Sequence, residues 1–290
     1  MYLVAVSGGP DSMYLLHKMI KKYGRKKIVA VCINYNFRHD SKKDFEIVKN
    51  FCNERKIIFE GKNYFYNELN LKNLNFENKA REDRFDFFKT IYSKYDAKGI
   101  FLAHHKDDWL ESAIMQKNQK RIINFFGIKK YNFVNGMKLI RPFVFKYFKS
   151  EILKKLEKLK IDYAIDYTNH EPFTYRNKIR LELIEETRKN KNKKIKEFKK
   201  INKKILGEEK KAEKEKTKWE QNQYNQEFFK FFNYKNRVVY GLINEKFKNI
   251  NLSSKKIEQI IKFIESPNRT SNYLLKKDIY LLKNKGKLIF

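Results

Sequence analysis

Runs of almost continuous apolar residues alternate with amphipathic stretches through the first part of the chain. Tyr2-Leu3-Val4-Ala5-Val6 precedes an amphipathic segment at 11–22, Ile28-Val29-Ala30-Val31-Cys32-Ile33-Asn34-Tyr35 precedes one at 41–56, and Gly99-Ile100-Phe101-Leu102-Ala103-His104-His105 precedes one at 107–117. This rhythm predicts βαβ units. The strand-like runs do not alternate apolar with polar residues, so they predict parallel strands covered by helices on both faces: an α/β fold with a doubly wound, mostly parallel sheet. Between 77 and 95, Ala80, Phe85, Phe88, Ile91 and Tyr92 recur at helical spacing, which puts Arg81 and Arg84 one turn apart on a shared face.

Over 187–218 the composition shifts to Lys, Glu and Asn with few large apolar residues, as expected of a long charged helix or a linker. It divides the chain into a larger domain at 1–186 and a smaller, helix-rich basic unit at 187–290. Within the latter, residues 257–264 carry a helical pattern and 280–282 a β-type run. No repeat of fixed period is present.

Composition narrows the function classes. No apolar run approaches the ~18–20 residues of a membrane span, and no secretory signal opens the chain, so a cytoplasmic protein with no membrane partner is expected. Cys32 and Cys52 lack CxxC or Cys/His spacing and are expected to be buried thiols, with no metal site. Lys and Arg number 66 against 34 acidic residues, and the formal charge of +32 would concentrate phosphate polymers around the protein. The joint abundance of Lys, Asn, Phe, Ile and Tyr is also what A- and T-rich codons produce, so two origins of the charge stay open.

Ser7-Gly8-Gly9-Pro10-Asp11-Ser12 falls directly after an apolar strand and opens a helix. Paired glycines allow close backbone approach to an anion, and a helix amino terminus presents unpaired N–H groups with a favourable dipole. The loop matches neither GxxxxGK[ST] nor GxGxxG. It is either a phosphate cradle or a tight turn in which Asp11 or Ser12 caps the helix. His104-His105-Lys106-Asp107-Asp108-Trp109-Leu110-Glu111 lies at the end of a strand, where open α/β sheets bind ligands. A helix starting near Asp107 puts Asp108 and Glu111 on one face, as an acidic capping box or as metal ligands with the histidines.

The hexapeptide resembles the SGGxDS pyrophosphate-binding loop of the N-type ATP pyrophosphatases. The stretch from Leu102 to Glu111, together with Glu77-Asn78-Lys79-Ala80-Arg81-Glu82-Asp83-Arg84-Phe85-Asp86-Phe87-Phe88, is similar to the lysidine synthase branch of that superfamily. Further ordered stretches agree: Asn34 to Arg38 with Ser41 and Asp44, Arg141-Pro142-Phe143, Asp166-Tyr167-Thr168-Asn169, and Tyr175-Arg176-Asn177-Lys178-Ile179-Arg180. Two departures stand out. Residues 116–126 read QKNQKRIINFF where the family has a Gly-rich loop, and Tyr167 replaces a proline. The region at 187–290 is shorter than the large C-terminal domains of longer members, so the resemblance implies no mode of tRNA docking by this part.

The resemblance implies an adenine nucleotide alpha hydrolase-like fold, ATP with Mg²⁺ as cosubstrate, and Ser7, Gly8, Gly9, Pro10, Asp11 and Ser12 as the ATP loop. It implies that the C2 oxygen of the wobble cytidine in the CAU anticodon of tRNA(Ile) attacks the α-phosphorus, after which free lysine displaces AMP. Catalytic roles fall to His104, Asp108, Glu111 and Arg84. Asp108 and Glu111 would hold and deprotonate the lysine ammonium, while Arg81, Arg176 and Arg180 would pair with phosphates of ATP or tRNA. Such a ligase could work as a monomer or a homodimer. The alternatives are another adenylating enzyme of the superfamily, acting on a small molecule, and a basic RNA-binding protein without catalysis.

Overall fold

The computed structural model describes residues 1–36, 41–65, 76–119, 122–164, 175–247, 250 and 252–290. Arg38 and the stretch from Asp166 to Asn169, both part of the motif comparison, lie outside them. The chain divides into two compact units: 1–112 with 127–186, and 113–126 with 187–290. The second unit thus takes an internal segment that a single boundary after 186 does not give it.

In the first unit, β1 (Tyr2–Ala5), α1 (Pro10–Tyr23), β2 (Ile28–Asn34), α2 (Ser41–Glu54) and β3 (Ile58–Asn63) run outward in sequence. The chain then returns through α3 (Phe76–Lys94) to β4 (Ile100–Phe101), α4 (Lys106–Lys117, of which the part up to Ser112 belongs to this unit), the hairpin β5 (Tyr131–Val134) and β6 (Met137–Ile140), and helices α5 (Lys149–Leu159) and α6 (Tyr175–Ile184). The six-stranded sheet has the order β3-β2-β1-β4-β6-β5, parallel except for β5. Alternate residues of the buried strands serve two cores. Val4, Ile28, Ala30, Cys32 and Phe101 meet Leu15 of α1, Val48 and Cys52 of α2 and Ile152 of α5. Leu3, Val29, Val31 and Ile100 meet Phe87, Phe88 and Ile91 of α3 on the other face. The strands are apolar throughout because both their faces are covered.

Strand order reverses between β1 and β4. At that point the connections after two neighbouring parallel strands diverge and leave a crevice beyond their carboxyl ends. Residues 7–9 leave β1 and residues 102–105 leave β4 there, which is why the two motifs can meet.

In the second unit, α7 (Arg188–Gln221) is a single 34-residue helix, ~51 Å long at 1.5 Å per residue. Ile195, Phe198, Asn202, Ile205, Ala212 and Trp219 form its buried stripe, so the charged segment is a helix and not a linker. Its carboxyl half packs with α8 (Gln226–Phe229), α9 (Lys235–Lys246), α10 (Ser254–Glu265) and the antiparallel strands β7 (Ser271–Lys276), β8 (Ile279–Asn284) and β9 (Lys287–Ile289). Lys283 sits on the core face of β8, 2% exposed, where its Nζ donates to Phe263 O (2.8 Å) and Ser266 Oγ (2.9 Å) and to the carbonyls of Ile264 and Ser266. A buried ammonium thereby satisfies the carbonyls that end α10, where the helix dipole favours positive charge. Among the described residues no helix is long and apolar enough to cross a membrane.

Candidate active site

The loop after β1 is built by its own side chains. Ser12 Oγ accepts from Ser7 N–H (3.1 Å), donates to Gly9 O (2.9 Å) and lies 3.3 Å from Ser7 Oγ. Gly8 takes φ +84°, and a Cβ there would stand 2.8 Å from Asp44 O, so only glycine fits between the loop and α2. Gly9 is the N-cap of α1 and no side chain caps it, with Pro10 opening the helix. The alternative in which Asp11 or Ser12 caps α1 is therefore not what forms: the amino-terminal N–H groups stay available to an anion.

Across the crevice, α4 starts at Lys106, with His105 immediately before it. Asp108 Oδ2 accepts the His105 N–H at 2.8 Å, so Asp108 closes the helix start from its third position, and Glu111 has no part in capping. His105 is 4% exposed. Its Nε2 lies 3.4 Å from Asp108 Oδ2 and 3.7 Å from Asp11 Oδ2, and its Nδ1 lies 3.5 Å from Asp107 Oδ2. Lys149 Nζ, on α5, is 3.6 Å from the same Asp11 oxygen. Asp11 Oδ1 is buried and has no hydrogen-bond partner among the described residues.

The two neighbouring histidines are driven in opposite directions. Burial alone would pull His105 down, but Asp108, Asp11 and Asp107 outweigh it and push it up to about 9. Burial dominates at His104, with Arg141 and Arg176 adding to it against the pull of Asp108, and holds it down at about 4. Its Nδ1 is buried without a hydrogen-bond partner among the described residues, so it is not the satisfied core histidine that a lone imidazole usually is. Burial would raise Asp108, yet His105, His104, the His105 N–H and Arg176 together keep it below the usual carboxylate range.

Glu111, 2% exposed, is filled by arginines from α6. Arg180 Nε donates to Oε1 at 2.9 Å and its Nη2 to Oε2 at 3.2 Å, while Arg176 Nε donates to Oε2 at 2.9 Å. Arg176 Nη2 also reaches Asp108 Oδ1 at 3.4 Å. The four expected arginines thus fall into two kinds. Arg176 and Arg180, expected to turn their forks to phosphate, turn them to Glu111. Arg81 and Arg84 lie 5.1 and 5.9 Å from the Phe85 ring centre and have no carboxylate partner among the described residues. Burial lowers Arg84. Neither is bonded to the group around Asp108 and Glu111. Arg141, from the Arg-Pro-Phe motif, is 8% exposed and donates to Lys129 O (2.9 Å) and Asn132 Oδ1, so it pins the segment leading into β5.

The sequence offers His105 only as a metal ligand beside His104, with the catalytic role given to His104, and it offers no role for Lys149. The His104-His105 doublet signalled that one histidine mattered, but not which would stand between the carboxylates. Lys149 gave no signal among so many lysines. Cys32 and Cys52 are buried, as expected, and burial pushes both up to about 12.

A family model described as the PP-loop domain matches residues 1–187. The chain is 41% identical to a tRNA(Ile)-lysidine synthase of Mycoplasmopsis pulmonis, over 98% of this chain and 97% of that protein. It is 33% identical to the tRNA(Ile)-lysidine synthase of Mesomycoplasma hyopneumoniae, over 99% and 95%. Among solved structures, a U34-tRNA thiolase from Methanococcus maripaludis superposes with a TM-score of 0.55 at 15% identity, over 70% of this chain and 71% of that one, which is a likeness of fold.

Proposed function

The chain belongs to the tRNA(Ile)-lysidine synthases of the PP-loop family, and on that premise we propose how its site performs ATP-dependent lysidine formation on tRNA. ATP enters as its Mg²⁺ complex, with the ion carried on the phosphates as part of the substrate. Ser7, Gly8, Gly9, Pro10, Asp11 and Ser12 are assigned to the β and γ phosphates, a role supported by the uncapped amino terminus of α1. Arg81 and Arg84, whose guanidiniums have no carboxylate partner among the described residues, are assigned to phosphates of ATP or tRNA. The wobble cytidine of the CAU anticodon offers its C2 oxygen to the α-phosphorus. The O–P bond forms, the bond to the bridging oxygen breaks, and pyrophosphate leaves.

Lysine then attacks C2 through its ε-nitrogen, the C2–O bond breaks, and AMP leaves. A cation-binding role for Asp108 and Glu111 has to account for the charges already there. Among the described residues, Asp11, Asp107, Asp108 and Glu111 face His105, Lys149, Arg176 and Arg180, so each of these carboxylates already has a cationic side chain beside it. Lysine therefore binds well only after phosphates bring negative charge and compete for the guanidiniums. The same guanidiniums ease its deprotonation, since neighbouring positive charge lowers an ammonium pKa from ~10.4. His104, held neutral, can hydrogen-bond the base or the α-phosphate without adding charge. The basic second unit is assigned to the rest of the tRNA, and the enzyme to the cytoplasm where tRNA is. Light scattering distinguishes monomer from homodimer.

The observation that carries this proposal is near-complete coverage of a lysidine synthase at 41% identity by a chain whose phosphate-type loop and acidic helix converge. Buried thiols held up near 12 give no support to sulfur transfer. The test is incubation with ATP, lysine and total tRNA, followed by mass analysis of the nucleosides. Lysine joined to cytidine is expected; a nucleoside pool with no such product overturns the proposal.

A further inference from the structure

His105 makes or breaks no bond in the chemistry above and enters it only as a charge, yet it stands between the two motifs that bear it. Asp11 lies in the first turn of α1 and Asp108 in the first turn of α4. Those helices leave neighbouring strands on opposite sides of the switch point. One ring nitrogen of His105, Nε2, lies within 3.7 Å of a carboxylate oxygen from each, and its other nitrogen faces Asp107.

Three carboxylates around one ring repel one another unless the ring is charged. Lys149, from α5, shares only the Asp11 oxygen, and its backbone N–H donates to Asp107 at 2.9 Å. Arg176, from α6, reaches Asp108 from the far side, and neutral His104 precedes the ring in sequence. Among the described residues, His105 is thus the side chain that ties Asp11 directly to Asp108. The backbone of His105 is fixed independently, by its N–H to Asp108 and by its carbonyl, which accepts from Trp109 N–H at 3.1 Å. The ring is held in place from behind.

We propose that His105, in its charged form, is a positioning residue that sets the width of the crevice between the phosphate loop and the head of α4, and so governs ATP affinity. Loss of the charge lets Asp11 swing from Asp108, and the loop no longer presents its N–H groups at the spacing a triphosphate needs. This inference rests on the assignment of ATP to that loop. It predicts a change in ATP binding, with the later attack by lysine little affected once ATP is saturating.

The experiment measures ATP affinity of the full chain by equilibrium dialysis with Mg²⁺ATP, without tRNA or lysine, from pH 7 to 10. Wild-type affinity should fall at least tenfold as the ring loses its proton around pH 9. His105→Gln should start at least tenfold weaker at pH 7 and show no such limb. With tRNA and lysine present, its KM for ATP should rise while kcat stays within about threefold. His105→Lys, which restores a cation, should recover most of the affinity, whereas a merely structural role would lower Tm in both variants without moving the pH limb.

Wild-type affinity that is flat across this range overturns the inference, and so does a folded His105→Gln with wild-type affinity. The wild-type profile decides even where a variant does not fold. Because dialysis reads ATP alone, absence of lysidine would sink the functional proposal and leave this measurement standing. A flat profile in an enzyme that does make lysidine would sink only the role of His105.

Discussion

Arg180 grips Glu111 through both carboxylate oxygens, at 2.9 and 3.2 Å, across 69 residues of sequence. With Arg176 on the same carboxylate and on Asp108, the most buried acid of the site is already occupied by two guanidiniums. Lysine binding should therefore depend on ATP. Labelled lysine should be captured at least tenfold better in the presence of an ATP analogue that cannot be cleaved between its α and β phosphates than without it. Equal capture with and without the analogue would refute the competition for the guanidiniums.

Glu111→Gln removes the charge that two guanidiniums share. Because Arg176 and Arg180 are partly exposed, the loss should be about 2 kcal/mol, below the ~3–5 kcal/mol of breaking a fully buried pair. Single-turnover assays should show adenylate accumulating while the lysine step slows more. Equal slowing of both steps would move Glu111 to the ATP side of the site.

Asp11→Ala should abolish pyrophosphate release and leave Tm within a few degrees of wild type, since the loop is fixed by Ser7, Ser12 and the packing of Gly8 on Asp44. Paired turnover and melting measurements check this. Wild-type turnover would show that the loop does not hold phosphate.

The two histidines should shape stability against pH with opposite signs. His105 is protonated in the folded chain between its ordinary 6.5 and about 9, where an unfolded chain is not, so its contribution is full below 6.5 and is lost as pH rises to 9. His104 stays neutral in the folded chain down to about 4, so its contribution is lost as pH falls from 6.5 to 4. Melting of wild type against His105→Gln should differ most near pH 6 and converge near pH 9. A constant difference would mean that the ring is neutral in the folded chain.

Codon bias and tRNA binding can be separated on α7. Lys196, Lys200 and Lys203 are exposed and fall at i, i+4 and i+7 on the helix. Changing all three to Gln should weaken tRNA binding several-fold, and the salt slope should shrink by about 0.9 for each phosphate no longer neutralised, with ATP affinity unchanged. Superimposable salt curves would assign the lysines to composition.

The sheet was legible where strands are covered on both faces, because Tyr2–Ala5 and Ile28–Asn34 must then be apolar throughout. It was not legible at β3, an edge strand whose Glu60, Lys62 and Asn63 break the run. The β5–β6 hairpin did carry a signal, Asn135-Gly136, both with positive φ, flanked by runs of only four residues. In α7 six buried positions spread over 34 residues are too few for composition to separate helix from linker. At the site, the loop could be recognised because its glycines and serines are consecutive. The pairing of Glu111 with Arg176 and Arg180 joins residues 65 and 69 positions apart, which depends on how α6 packs and not on local spacing.

The Asn202 side chain accepts from Phe126 N–H at 2.7 Å and donates to Phe126 O at 2.9 Å, which fastens the internal segment 113–126 to α7. Residues 187–290 are consequently not an independent cassette. Cutting the chain after 189 strands Phe126 without its bonding partner, and a single recombination event near 187 between two divergent homologues would draw the two halves of this pairing from different parents. A chimera that keeps the match needs a double crossover carrying 113–126 along with 187–290. Lineages that exchange or enlarge this second unit are therefore expected to inherit the short internal segment with it.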